Sequence, residues 1–306
     1  MFTNATVLFS MQTTTVIYEH VRLASRLLKK NYDLGYNEFS VLFVLLRYGR
    51  PASVDELSNY LMLAKSTVLA LLVNLDNRCL IHKENASDDH RLMACSLSSS
   101  GCELVSWATE DVGNMLRNRF MRSLPREEFQ AFADISEDLD VLRGYSVLKL
   151  SRREPAKTCG KIPSYWFSAE HYIFWRVIVD RWTDVIKRYN SLSFDAFRIL
   201  ELVAAYGDMS LGTIANRLFM QKSGVTIYKN KLLKDNLLTQ HPNPFDRRGL
   251  LVRCTAQGRL LAGKVRADLD EVMRSGHSSL TESEIIVLDA WYMRMYVNMH
   301  IEQATL

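Results

Sequence analysis

The chain has 306 residues, 48% of them apolar and 24% charged, with a formal net charge of +4. That length suits two domains rather than one, and the apolar share can fill two cores. No run approaches the ~20 apolar residues of a membrane span, and the first residues lack the basic start of a signal peptide. Five cysteines without Cys-x-x-Cys spacing fit a reducing compartment better than a disulfide framework, so a cytoplasmic protein is expected. The charge is uneven: −2 over residues 1–150, +3 over 151–163 and +3 over 164–306. The later part therefore suits a polyanion better than the earlier one.

In chain order, an amphipathic helix is expected at 13–32 and a second, with helical apolar spacing, at 37–48. Ser53, followed three places on by Glu56, reads as the capping box of a short helix. A turn then leads to a helix opening near Ser66, which is helix-turn-helix spacing. The β-prone runs 80–83 and 92–95 bracket a polar turn and read as a hairpin, or wing. Ser98 caps a long helix, and a last helix spans 125–142. Residues 150–163, with two prolines and scattered charges, read as a linker.

The same order then recurs: helices at 169–190 and 194–206, a Ser210 cap, a helix opening near Ser223, runs 237–240 and 250–253 around a turn at 241–248, a Thr255 cap, and a helix at 281–301. Laid over itself, the chain matches Tyr36–Leu42 residues to 194–200, then runs without a gap from Ser53/Ser210 to Gly101/Gly258. Leu61/Leu218, Lys65/Lys222, Ser66/Ser223, Val68/Val225, Leu75/Leu232, Leu80/Leu237, Asp89/Asp246 and Arg91/Arg248 are identical pairs. The expected domains are 1–149 and 164–306, joined by 150–163. The fold class is mainly α with small β-hairpin wings.

The motifs Ser66-Thr67-Val68, Asp89-His90-Arg91 and Ser98-Ser99-Ser100-Gly101 resemble the MarR family of bacterial transcription regulators, as do Ser223-Gly224-Val225, Asp246-Arg247-Arg248 and Thr255-Ala256-Gln257-Gly258. The resemblance implies a winged helix-turn-helix DNA-binding protein. Members are usually homodimers that pair through their first and last two helices. Two copies on one chain would make an intrachain pseudo-dimer, able to act as a monomer, with higher assembly also open.

A helix-turn-helix protein reads the major groove with its second helix. In the second unit Val225, Tyr228 and Leu232 form the inward stripe. Ser223, Gly224, Thr226, Ile227, Asn230 and Lys231 face outward as candidate base contacts, with Lys222 and Lys231 suited to phosphates. In the first unit Lys65, Ser66, Thr67, Leu69, Ala70 and Asn74 occupy the matching surface, which is more apolar. That face either meets thymine methyls or buries against another protein. Arg91 and Arg248 are expected at the wing tips, where arginine favours a narrow minor groove, and Arg247 adds a second cation.

His171, Trp175 and Arg176 lie in the densest aromatic run; they either line a pocket for a small aromatic effector or fill the core of the pairing region. No cysteine falls in the first helix of either unit, where the oxidant-sensing members of the family carry theirs. No metal-ligand spacing, cofactor motif, phosphate loop or nucleophile elbow appears, so no metal, cofactor or enzymatic activity is expected. Two functions remain: a double-stranded DNA-binding regulator, or a winged-helix protein-interaction module.

Overall fold

The computed structural model describes residues 10–85, 93–122, 125, 127–128, 169–189, 192–278 and 280–305. The expected linker 150–163 and the body of the helix at 125–142 lie outside them. By contacts the chain forms two compact groups, Met1–Thr15 with Ile178–Ser275, and Val16–Val177 with Gly276–Leu306.

The first winged helix runs α2 (Tyr36–Tyr48), β1 (Ala52–Ser53), α3 (Val54–Leu61), α4 (Lys65–Asn77), β2 (Ile81–Asn85), β3 (Met93–Leu97) and α5 (Ser99–Phe120); α1 (Met11–Tyr32) precedes it. After α6 (Ala169–Lys187) the series returns as α7 (Phe194–Tyr206), β4 (Met209–Ser210), α8 (Leu211–Arg217), α9 (Lys222–Lys234), β5 (Leu238–Asn243), β6 (Asp246–Cys254) and α10 (Ala256–Gly276); α11 (Glu282–Thr305) follows. The antiparallel sheets have matching orders, β1-β3-β2 and β4-β6-β5.

Local chemistry sets the helix starts. Ser53 Oγ accepts the Glu56 N–H at 3.1 Å, and the Glu56 carboxylate accepts the Ser53 N–H at 2.8 Å, completing the expected capping box. Ser210 Oγ accepts the Thr213 N–H at 3.1 Å. Ser98 and Thr255 accept from the N–H of Gly101 and Gly258 at 2.9 and 2.8 Å. Those glycines have a steric reason: a Cβ would stand 1.9 Å from Leu80 O and 2.1 Å from Leu237 O. Helices α3 and α4 meet at 113°, within the range of helix-turn-helix pairs. Met62 caps α3 with a φ of 52°, Phe219 follows the Leu218 cap of α8 with a φ of 55°, and Cys79 and Asn236 follow α4 and α9 with φ of 55° each.

Within the Val16–Val177 and Gly276–Leu306 group, α1, α2, α5, α11 and the first turns of α6 share one core. His20 meets Trp175 edge-on with ring centroids 3.6 Å apart. Trp175 Nε1 donates to Tyr292 OH at 3.3 Å. Phe39 and Phe43 pack edge-on to Tyr172, whose carbonyl accepts from Tyr36 OH at 3.2 Å. Asn298 Nδ2 donates to Phe120 O at 2.8 Å.

Among the described residues no single helix is long and apolar enough to cross a membrane. Cys79, Cys95 and Cys254 are free thiols; Cys102 is disulfide-bonded, which departs from the expectation of unpaired cysteines.

Candidate nucleic-acid interface

Helix α9 buries Val225 and Leu232, two residues of the expected inward stripe. The third, Tyr228, is half-buried; burial raises its hydroxyl pKa, and the charge of Asp195 and a hydrogen bond to it raise it further. Arg198, almost wholly buried, donates to Leu218 O at 2.9 Å and to Asp195 at 3.3 Å. Two side chains of α7 thus brace α8 and α9 by hydrogen bonds, which fixes the pair rigidly.

The outward face of α9 stays open. Lys222, Ser223 and Asn230 are exposed and Ile227 is 67% exposed. Gly224, Thr226 and Lys231 are part-exposed. Thr226 Oγ1 donates to Lys222 O at 2.9 Å, which leaves its lone pairs for an incoming donor. Lys222 has no carboxylate within ion-pair distance among the described residues, and on α8 it faces Gly212, whose Cβ would lie 3.8 Å from Lys222 Cε.

The matching face of α4 is differently occupied. Val68, Leu72 and Leu75 are buried, and Leu71 is partly covered. Ser66, Thr67 and Ala70 are exposed, Leu69 is 42% and Val73 51% exposed. Lys65 Nζ is held by Asp55 at 2.8 Å. Asn74 Nδ2 donates to Glu38, a carboxylate that Arg78 also approaches at 3.8 Å. Lys83 pairs with Asp76 at 2.7 Å. The cations around α4 thus already have anions.

The second wing is longer than the β-prone runs suggested. Strand β5 reaches Asn243 and β6 starts at Asp246, with Asn243 opposite Asp246 and a bulge at Pro242/Asn243. Only Pro244 and Phe245 form the turn, so Arg247 and Arg248, expected at the tip, stand on β6 instead. The tight turn is closed by the Phe245 N–H donating to Asn243 Oδ1 at 3.0 Å, an Asx turn. Lys229 of α9 donates to Gln240 of β5 at 3.1 Å, linking recognition helix and wing. At the sheet's other edge Asp208 receives Arg253 Nε and Nη2 at 2.8 and 2.6 Å, and the Arg253 hydrogen bond lowers its pKa. Arg91, with Asp88, Asp89 and His90, and the side chains of Arg247, Arg248 and His171 lie outside the described residues.

Trp175 and Arg176 fill the helical core. Arg176 Nη2 donates to Leu61 O, the last carbonyl of α3. Sequence reasoning missed Asp55, Glu38 and Gly212, which decide whether each lysine and asparagine is available. The available signal was the charge at the helix facing each recognition helix.

No protein-family model matches the chain. Over 119 residues, 39% of this chain and 81% of the relative, it is 21% identical to a Bacillus subtilis (strain 168) protein named an uncharacterized HTH-type transcriptional regulator, YsmB. Similar solved structures include a mutant MarR from E. coli (15% identity, TM-score 0.36, 40% of this chain and 90% of that one). Others are NadR in complex with 4-hydroxyphenylacetate (18%, 0.37, 40% and 85%) and BpsR of Bordetella bronchiseptica, whose DNA binding is regulated by 6-hydroxynicotinic acid (21%, 0.35, 39% and 88%). The chain carries two winged-helix units and is similar, over about two fifths of its length, to helix-turn-helix transcriptional regulators of the MarR kind.

Proposed function

We propose that this chain is a non-enzymatic, double-stranded DNA-binding transcription regulator of the MarR kind that acts in the cytoplasm as a single-chain pseudo-dimer. The observation that carries the reading is the outward face of α9. It combines Ser223, Thr226, Asn230 and Lys222, which meets no carboxylate among the described residues, beside a wing fixed to the same helix by Lys229 and Gln240. Helix α9 enters the major groove, its first N–H groups near phosphate, and the β5–β6 hairpin lies along the minor groove. The name of the Bacillus subtilis relative agrees with regulation of transcription. The shared core of α1, α6 and α11, built from His20, Trp175 and Tyr292, supports pairing of the two repeats within one chain. Because Trp175 and Arg176 already have partners in that core, this reading places no effector on them.

The test is a salt titration of the full chain on the DNA upstream of its own gene. The log of the binding constant should fall linearly with log salt, with a slope of about −0.9 per phosphate contacted. Absent or salt-insensitive binding would reject the proposal. A second reading, protein binding by the first unit, is favoured by the exposed Leu69 and Val73 next to a Lys65 already neutralised by Asp55.

A further inference from the structure

Phe245 is 95% exposed at the turn of the β5–β6 wing. Its position is set by tight local geometry. Two residues join the strands, Pro244 restricts the backbone before it, and Asn243 Oδ1 holds the Phe245 N–H at 3.0 Å. The hairpin is itself tied to α9 through Lys229 and Gln240 at 3.1 Å. A phenyl ring held out in water forgoes the stabilisation that burial would give it. The turn does not need an aromatic residue, since its closing bonds come from Asn243 and the backbone, and the residue in the same register of the first repeat is Asp88.

The surroundings identify what covers the ring. Arg247 and Arg248 follow it in the sequence, two cations against the single Asp246 beside the ring, so a partner with an anionic rim and an apolar interior suits it. A DNA minor groove has that chemistry, with phosphates on the rims and base-pair edges and sugars within. Minor-groove proteins insert Phe, Leu or Pro as wedges at base-pair steps and kink the duplex. We infer that Phe245 is such a wedge: the wing carries the ring into the minor groove, where it presses on one base-pair step and bends the DNA. The inference rests on the DNA reading above and adds a source of sequence preference, because TA and CA steps unstack most easily.

The experiment uses the full chain and a short duplex that it selects from a randomised pool. Affinity is read by fluorescence anisotropy across salt concentrations, and bending by energy transfer between dyes on the duplex ends. Wild type should shorten the end-to-end distance, and its selected sites should share a TA or CA step at a fixed position. Phe245→Ala should bind roughly 10- to 100-fold more weakly with an unchanged salt slope, because an apolar contact and no phosphate contact is lost. The duplex should also straighten. Phe245→Leu, which keeps a wedge, should retain most of the bend. An unchanged melting temperature would show that both variants fold. Wild-type binding and bending that Phe245→Ala leaves intact would overturn the wedge alone. A change in self-association with DNA binding unaltered would overturn it too, in favour of a protein contact. If wild type selects no duplex, the DNA reading fails and the wedge with it.

Discussion

In the first winged helix Lys65, at the start of α4, sits 2.8 Å from Asp55 of α3; in the second, Lys222 starts α9 opposite Gly212, which offers no side chain at all. Nine residues further along the helix the contrast recurs. Asn74 of α4 is drawn to Glu38 of α2, whereas the corresponding positions of the second unit are Lys231 and Ala196. The backbones meanwhile agree in detail. Both units carry non-glycine residues in the left-handed region at matched sites, Met62 with Phe219 and Cys79 with Asn236. Both start the helix after the wing with a glycine pressed against a carbonyl. Positions fixed by backbone geometry are shared, and the positions proposed to meet DNA differ. The first unit pairs Lys65 and Asn74 with its own carboxylates.

The interiors differ as well, and there the largest effect is expected. Glu201 of α7 pairs with Arg266 of α10, both largely buried, and burial holds the guanidinium pKa down to about 10 against the opposing pull of Asp270. The first unit has Phe43 and Thr109 at the matching positions, both buried. Glu201→Gln should destabilise the chain by about 3 kcal/mol in urea unfolding, since the largely buried guanidinium loses its nearest carboxylate and keeps Asp270 only at 4.0 Å. Thr109→Val in the first unit removes no charge and should change stability by about 1 kcal/mol or less. Equal losses would show that the two interiors are held together in the same way.

Gly101→Ala and Gly258→Ala sharpen the opposite side of the comparison. Each new Cβ would clash with a backbone carbonyl, at 1.9 and 2.1 Å, and neither carbonyl can rotate away without breaking the bond it accepts from Ser98 N or Thr255 N. Losses of about 2 kcal/mol, similar in the two variants, are expected from thermal unfolding. A tolerated alanine in either unit would show that the shared backbone is not a shared constraint.

The sequence made the order of elements legible because the signals are local. Ser53, Ser98, Ser210 and Thr255 cap a backbone N–H only three residues on, and the inward stripes of α4 and α9 follow helical spacing. The candidate interface was less legible because its availability depends on other helices. Asn74 and Lys65 read as outward-facing, and they are, but Glu38 and Asp55 reach them from 36 and 10 residues away. Arg198 of α7 is a charged residue only 1% exposed, and the group it donates to is a carbonyl 20 residues away, Leu218 O. The second wing was read too short because Asn243 and Asp246 look like turn residues. They are the last strand pair, and the turn is Pro244-Phe245.

The recognition helices give a third, smaller contrast. Lys222→Ala should weaken DNA binding several-fold and reduce the salt slope by about 0.9 if its ammonium meets one phosphate. Lys65→Ala should leave both nearly unchanged, because its charge is already spent on Asp55. Asp55→Gly, which copies the second unit, should release Lys65 and steepen the slope. Salt-titrated anisotropy reads all three, and a Lys65→Ala effect equal to that of Lys222→Ala would remove the electrostatic distinction between the units.

The smallest effect is expected where the two backbones agree but the residues suit them unequally. Cys79 and Asn236 both hold a φ of 55° after their recognition helices. Asparagine tolerates the left-handed region better than most residues, because its short polar side chain bonds locally, whereas cysteine has no such compensation. Cys79→Gly should therefore stabilise the chain by about 0.5–1 kcal/mol, and Asn236→Gly by less. The side chain of Cys79 is exposed, so little packing is lost, and the Cys79 carbonyl would still accept from Ser98 Oγ at 2.7 Å. Matched thermal melts decide the point: a larger gain at Asn236 than at Cys79 would mean that something other than backbone conformation sets the stability of these turns.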